Sequence, residues 1–150
     1  MSDILADMIY EFIGPYEIRF IIGMVFALSL GFIIGVEREL RGKDAGISTH
    51  ILVIVGATLF TFLSTLVDPT STSRIAAQIV TGIGFLGAGL ILKDGASVKN
   101  LTTAASLWVA GAIGMAIGFE YYAIALIAAL VSILAPRIPS IRKRHADHSS

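Results

Sequence analysis

The chain has 150 residues, of which 55% are hydrophobic and only 15% charged, with acidic and basic side chains in equal number. A soluble domain carries roughly a quarter charged residues, so this composition excludes an ordinary soluble domain and predicts a membrane protein. Cysteine is absent, which excludes disulfides, thiolate metal sites and thiol catalysis.

The N-terminal stretch MSDILADMIYEF contains Asp3, Asp7 and Glu11 but no basic residue, unlike the basic start of a secretory signal. Its apolar Ile4, Leu5, Met8, Ile9 and Phe12 recur at helical spacing and predict a short helix lying at the membrane interface. Five segments then approach the ~20 apolar residues that a spanning helix needs: 18–36, 49–67, 74–92, 101–118 and 121–135. The fifth is short, and Pro136 and Pro139 close it. The expectation is an all-α integral membrane protein, a five-helix transmembrane bundle forming one domain over 1–150.

Charge sets its orientation. Arg38, Arg41 and Lys43 fall between the first two spans, and Lys93 and Lys99 between the third and fourth. Arg137, Arg142, Lys143 and Arg144 follow the fifth. Alternating connections put all of these on one side, leaving only Arg19 and Arg74 on the other. The positive-inside rule then places the N-terminus outside and the basic tail, 136–150, in the cytoplasm.

Span one carries Gly23, Ala27, Gly31 and Gly35, small residues at every fourth position. Such stripes let helix backbones approach closely in lipid, either within one subunit or as a self-association face. The span runs into ERELRGKD, where Glu37 precedes Arg41, and Glu39 precedes Lys43, by one helical turn. Glu37 and Glu39 are two residues apart and point to different faces. With Asp44 and Asp94 they form an acidic set on one side of the membrane, and Glu37, Glu39 and Asp94 are a candidate site for Mg²⁺, which prefers oxygen ligands. The alternative is a solvated, salt-bridged membrane edge. Thr49 and His50 begin span two, which carries Thr58, Thr61 and Thr65 along one face.

Span three holds Gln78 and Thr81, then GIGFLGAG, whose Gly82, Gly84 and Gly87 match the dinucleotide fingerprint literally, followed by Gly89. That fingerprint works between a strand and a helix, and here it lies within a membrane helix. Gln78 in lipid implies a protein or water partner. Lys93-Asp94-Gly95 reads as a turn, with Ser97 or Asn100 as a cap for span four. Span four opens with Thr102, Thr103 and Ser106 and offers Gly114 and Gly118 as a second contact strip. His145 and His148 lie in the polar tail. No acidic, basic or histidine side chain sits near the centre of a span, and no nucleophile–base pair, phosphate loop or zinc motif is present. The reading is nonenzymatic, with no cofactor unless Mg²⁺, and no nucleic-acid partner.

The stretches GVERELRGKDAG, THILVIVGATLF, RIAAQIVTGIGFLGAGLIL and LTTAASLWVAGAIGMAIG occur in this order. Together they closely resemble the membrane domain of the MgtC/SapB family, from about residue 17 to 135. The matching motif positions are Glu37, Arg38, Glu39, Arg41, Ala45, Gly46, Thr49 and His50, then Gly82, Gly84, Phe85, Gly87 and Gly89, then Thr103, Ala104, Ala105 and Trp108. Ser48 stands where family members often have Arg, and Thr102 and Val109 stand where virulence-type members tend to have Asn and Cys. Virulence-type relatives carry a C-terminal domain resembling ACT domains, and none is expected here, so a membrane-only, SapB-like member fits best.

The resemblance implies a multi-pass protein of the bacterial inner membrane, serving magnesium or ion homeostasis and stress adaptation. It would act on another membrane protein, such as the ATP synthase in some relatives, amid membrane lipids and as a homo-oligomer, with a dimer favoured. The alternative is a transporter or channel for Mg²⁺ or protons, with a route past Gln78 and the glycine-rich third span.

Overall fold

The structure, a computed structural model, describes residues 14–67, 69–94 and 97–138. Five helices follow one another: α1 (Pro15–Leu40), α2 (Ile47–Val67), α3 (Arg74–Leu90), α4 (Leu101–Gly118) and α5 (Tyr122–Leu134). Between α3 and α4 lie two short strands, β1 (Leu92–Asp94) and β2 (Ser97–Lys99), and a 3-10 turn (Ala135–Arg137) follows α5. The expected interfacial helix before residue 14 and the tail beyond 138, with His145 and His148, fall outside the described residues.

The helix limits have local causes. Pro15 occupies the first turn of α1 instead of preceding it, a position where its missing N–H costs nothing. α1 continues past the apolar stretch to Leu40 because Glu, Arg and Leu are good helix formers. It stops in a Schellman turn: the Gly42 N–H donates to Glu39 O (2.9 Å), the Lys43 N–H to Arg38 O (3.1 Å), and Gly42 takes φ +63°. α3 ends at Leu90, short of the expected 92, because the chain enters an antiparallel hairpin pairing Leu92 with Lys99 and Asp94 with Ser97. Only a turn was expected there. Asn100 precedes α4 in the left-handed region and makes no side-chain cap, so the expected capping role does not hold for it.

α1, α2 and α4 are long and apolar enough to cross a membrane. α3 has 17 residues and α5 has 13. At a rise of ~1.5 Å per residue both fall short of a ~30 Å hydrocarbon core.

α2 and α4 form the centre, with α1 packed on α2, α3 on α4 and α2, and α5 on α4. Lipid is as apolar as leucine, so burial against lipid gives little drive, and close packing holds such helices together. Glycine supplies it. A Cβ on Gly31 would lie 2.7 Å from Ile51 Cα, and one on Gly35 would meet Ile47 Cα. On the other side of α2, Gly114 sits against Ile54 O and Ala57 Cβ, and Gly118 against Thr61 Cβ and Thr58 O. Ile34, Ile54, Leu107, Ile113 and Ile117 fill the space between at 2% exposure or less.

These contacts fix the direction of each helix. Gly31 meets Ile51 and Gly35 meets Ile47, so α1 and α2 are antiparallel. Thr58 donates to Gly114 O and Gly118 meets Thr61, so α2 and α4 are parallel, while Gly111 meets Ile83 and Gly87 meets Ala104, reversing α3 against α4. α1 starts beside the α4–α5 turn, through Arg19 and Glu120, and ends beside the 3-10 turn, through Arg41 and Pro136. The helices alternate, and Arg38, Arg41, Lys43, Lys99 and Arg137 gather at one end of the bundle. Arg19 and Arg74 lie at the other.

At that other end, α4 closes with a second Schellman turn in which Glu120, not glycine, takes the left-handed position (φ +65°). A non-glycine residue there costs about 1 kcal/mol. Its carboxylate reaches Arg19 at 3.6 Å. Ser64 holds the start of α3, donating to Thr72 O at 2.6 Å and accepting from the Ile75 and Ala76 N–H groups.

Candidate functional site: a charged floor under the helix bundle

Along α1, Ala27, Leu30, Ile34 and Arg38 follow the inward face at helical spacing, and all are buried. Arg38 therefore turns under the core, with no accessible surface. Its Nε donates to Glu37 Oε2 at 2.7 Å, and Glu37 Oε1 pairs with Arg41 Nε at 2.6 Å, one helical turn on. The terminal amino groups Nη1 and Nη2 of Arg38 are buried and have no hydrogen-bond partner among the described residues. The spacing from Ile34 was the sequence signal for this inward turn.

α2 supplies the second wall. Its first turn carries His50, fully buried, with Nδ1 donating to Gly46 O (3.0 Å) and Nε2 meeting Ser106 Oγ of α4 (3.3 Å). Ser106 in turn donates to Thr103 O at 2.7 Å. His50 is near enough for the charges of Arg38 and Glu37 to act on its ring.

The connection between α1 and α2 crosses beneath, with Ala45 buried. Three ties hold it: Glu39 Oε2 accepts from the Ile47 N–H (3.2 Å), Asn100 Nδ2 donates to Asp44, and Arg41 Nη1 donates to Pro136 O (3.2 Å). Asn100 thus serves this loop and not the helix that follows it.

The structure brings Glu37, Arg38, Arg41 and His50 together, with Asp44 and Glu39 in the surrounding loop. Two of the proposed Mg²⁺ ligands, Glu37 and Glu39, go to different partners. Glu37 is taken by two arginines, Glu39 by the backbone of α2, and the Glu39–Lys43 pair is precluded as a helical pair because α1 ends at Leu40. Among the described residues no three His, Cys, Asp or Glu side chains lie close enough to hold a metal ion. The side chain of Asp94 is outside that description.

The membrane polar residues scatter. Thr58 is bonded to α4, and Thr61 is fully buried with its hydroxyl unpaired. Thr103 is buried, Thr102 and Thr81 exposed. Thr49 and Gln78 line an open, mostly apolar groove of about 660 Å³ between α2 and α3, with Gly56, Phe60, Gly82 and Leu86. The glycines divide. Gly31, Gly35, Gly114 and Gly118 are packing contacts, Gly23 and Gly87 make ordinary ones, and Gly82, Gly84 and Gly89 face open space. Phe85 and Trp108 are exposed. Ser106 and Pro136 complete the floor without having stood out in the sequence as partners of His50 and Arg41, since both contacts join distant segments.

The MgtC family profile matches residues 24–140. The chain is 44% identical to Protein MgtC of Salmonella typhimurium (strain LT2) over 116 residues, covering 77% of this chain and 50% of that protein. It is 42% identical over 128 residues to the putative magnesium transporter YhiD of Escherichia coli (strain K12), covering 77% and 58%. It is 52% identical over 93 residues to Protein MgtC of Brucella abortus, covering 61% and 39%. The chain spans about half the length of the curated relatives it matches. No solved structure matches it.

Proposed function

Since the chain belongs to the MgtC family and is a membrane protein, we propose that it serves magnesium homeostasis in a bacterial inner membrane by regulating another membrane protein. The putative magnesium transporter among its relatives supports the link to magnesium. One observation supports the regulatory reading: Ile34, Ile54, Leu107, Ile113 and Ile117 are buried between the charged floor and the opposite end, and the hydroxyls of Thr58 and Ser64 are bonded to backbone carbonyls, whereas a conduction path needs polar groups or water along its length. The floor then faces the cytoplasm, where the positive-inside rule puts its basic residues, and no covalent chemistry is performed.

The chain works as a homo-oligomer in this reading, a dimer by preference. Helical glycine costs about 1 kcal/mol against alanine, and a Cβ on Gly56, Gly82, Gly84 or Gly89 would meet nothing within 4 Å among the described residues. Gly82→Leu is expected to convert the dimer to monomer in detergent without lowering helix content. A dimer of unchanged stability by light scattering refutes the interface on α3.

The second reading is transport of Mg²⁺ or protons along the groove between α2 and α3, favoured by the exposed Gln78 on its wall. Purified protein in liposomes decides between them. Dye-reported Mg²⁺ and proton flux should equal that of empty liposomes. Flux that disappears in Gln78→Leu overturns the regulatory reading as the whole account.

A further inference from the structure

We propose that the charged floor binds a phosphate-type oxyanion on the two terminal amino groups of Arg38. A guanidinium offers a planar fork of N–H donors that matches paired oxygens of phosphate or carboxylate. Here the side of the fork at Nε is used by Glu37, while Nη1 and Nη2 are buried without an acceptor among the described residues. Buried donors left without acceptors are costly, and an arginine kept only for an ion pair with Glu37 would set two neighbouring N–H groups against its two carboxylate oxygens. Glu37 instead gives its other oxygen to Arg41.

In the ion pairs of the floor two guanidinium groups share the one carboxylate of Glu37, while Glu39 and Asp44 hydrogen-bond to Ile47 N–H and to Asn100. An oxyanion supplies the acceptors that Nη1 and Nη2 lack among the described residues.

A cleft of about 280 Å³ lies between α4 and α5, beside the floor. It shares Ser106 with the His50 contact and Pro136 with the Arg41 contact, and Thr102 and Ser132 add hydroxyls to an otherwise apolar wall. The exposed bond from Arg41 to Pro136 O closes the seam. Releasing it would free Arg41 Nη1 while its Nε stays on Glu37. Two sources carry this chemistry: inorganic phosphate from the aqueous side, or the headgroup phosphate of an anionic phospholipid with an acyl chain along the cleft.

The test uses the full chain in nanodiscs. In phosphatidylcholine discs, titration with inorganic phosphate by calorimetry should give saturable one-to-one binding, weakened at least about tenfold in Arg38→Gln, the loss of roughly 1.4 kcal/mol. In discs containing phosphatidylglycerol, native mass spectrometry should show one retained anionic lipid per chain if the headgroup is the source, again lost in Arg38→Gln. Arg38→Lys, which keeps the charge but loses the fork, should bind weakly in whichever arm is positive. Should Arg38→Gln not fold, Arg41→Gln, altered at a part-exposed position, must still weaken binding. Neither phosphate binding nor lipid retention by folded wild type overturns the proposal, as does binding that the arginine variants leave unchanged.

Discussion

Replacing Glu37 with alanine is expected to cost about 3–5 kcal/mol of stability, the range found when one partner of a buried ion pair is removed. Glu37 is the only carboxylate against Arg38 among the described residues, and it also receives Arg41. Its loss leaves Arg38 buried with Nε, Nη1 and Nη2 all lacking an acceptor among the described residues, and takes from both guanidinium groups the carboxylate they share. Glu37→Gln retains a carbonyl oxygen for Nε and should fall between alanine and wild type. Glu39→Ala is the control, since Glu39 is exposed and its bond to Ile47 N–H is at the water boundary. Denaturant unfolding in mild detergent, followed by circular dichroism, measures all three. Equal midpoints for Glu37→Ala and Glu39→Ala would show that the floor does not depend on this carboxylate.

Gly114→Val should disrupt the bundle at its centre. A Cβ at this position comes within 2.5 Å of Ile54 O and 2.6 Å of Ala57 Cβ, and within 3.1 Å of Thr58 N. Two of those atoms are backbone and cannot swing aside. Accommodating valine requires α2 and α4 to part, which also breaks the Thr58 bond to Gly114 O. Overpacking a tight core costs about 1–3 kcal/mol and sometimes more, and here it falls on the two helices that every other helix packs against. Gly84→Val places the same side chain on α3, where nothing lies within 4 Å. Thermal unfolding of the two variants in one detergent separates close packing from a general dislike of valine in these helices. Similar melting temperatures would remove Gly114 from the list of packing contacts.

Much of the fold was legible because lipid imposes length and composition on its helices. The limits of α4 were read without error, and those of α2 nearly so. The stripe of Gly31 and Gly35 pointed to a helix contact that the structure contains, as did Gly114 and Gly118. Gly82, Gly84 and Gly89 carry the same signal, yet a Cβ on any of them would meet nothing within 4 Å among the described residues. A small residue announces that something can come close, but not what does. The β hairpin was missed because three-residue strands carry too little pattern to separate from a turn.

The charged cluster was legible as a place but not as an arrangement. ERELR was read as a rim with Glu37 and Glu39 as candidate metal ligands. Helical phase sends these carboxylates to different partners, and it carries Arg38 inward behind Ile34. The pairings of Arg41 with Pro136 and of His50 with Ser106 join residues 95 and 56 positions apart, beyond the reach of any local pattern.

That separation bears on biogenesis. α1 and α2 are neighbours in sequence, and their glycine contact is available once both have been synthesised. The loop below them gains its tie to Asn100 only with the start of α4, and its tie to Pro136 only at the very end of the bundle. A ribosome making this protein therefore delivers the charged floor early and its closure last. Until residue 136 emerges, Arg41 has no carbonyl to hold, and a chain truncated before that point keeps its helices but leaves the seam unsealed.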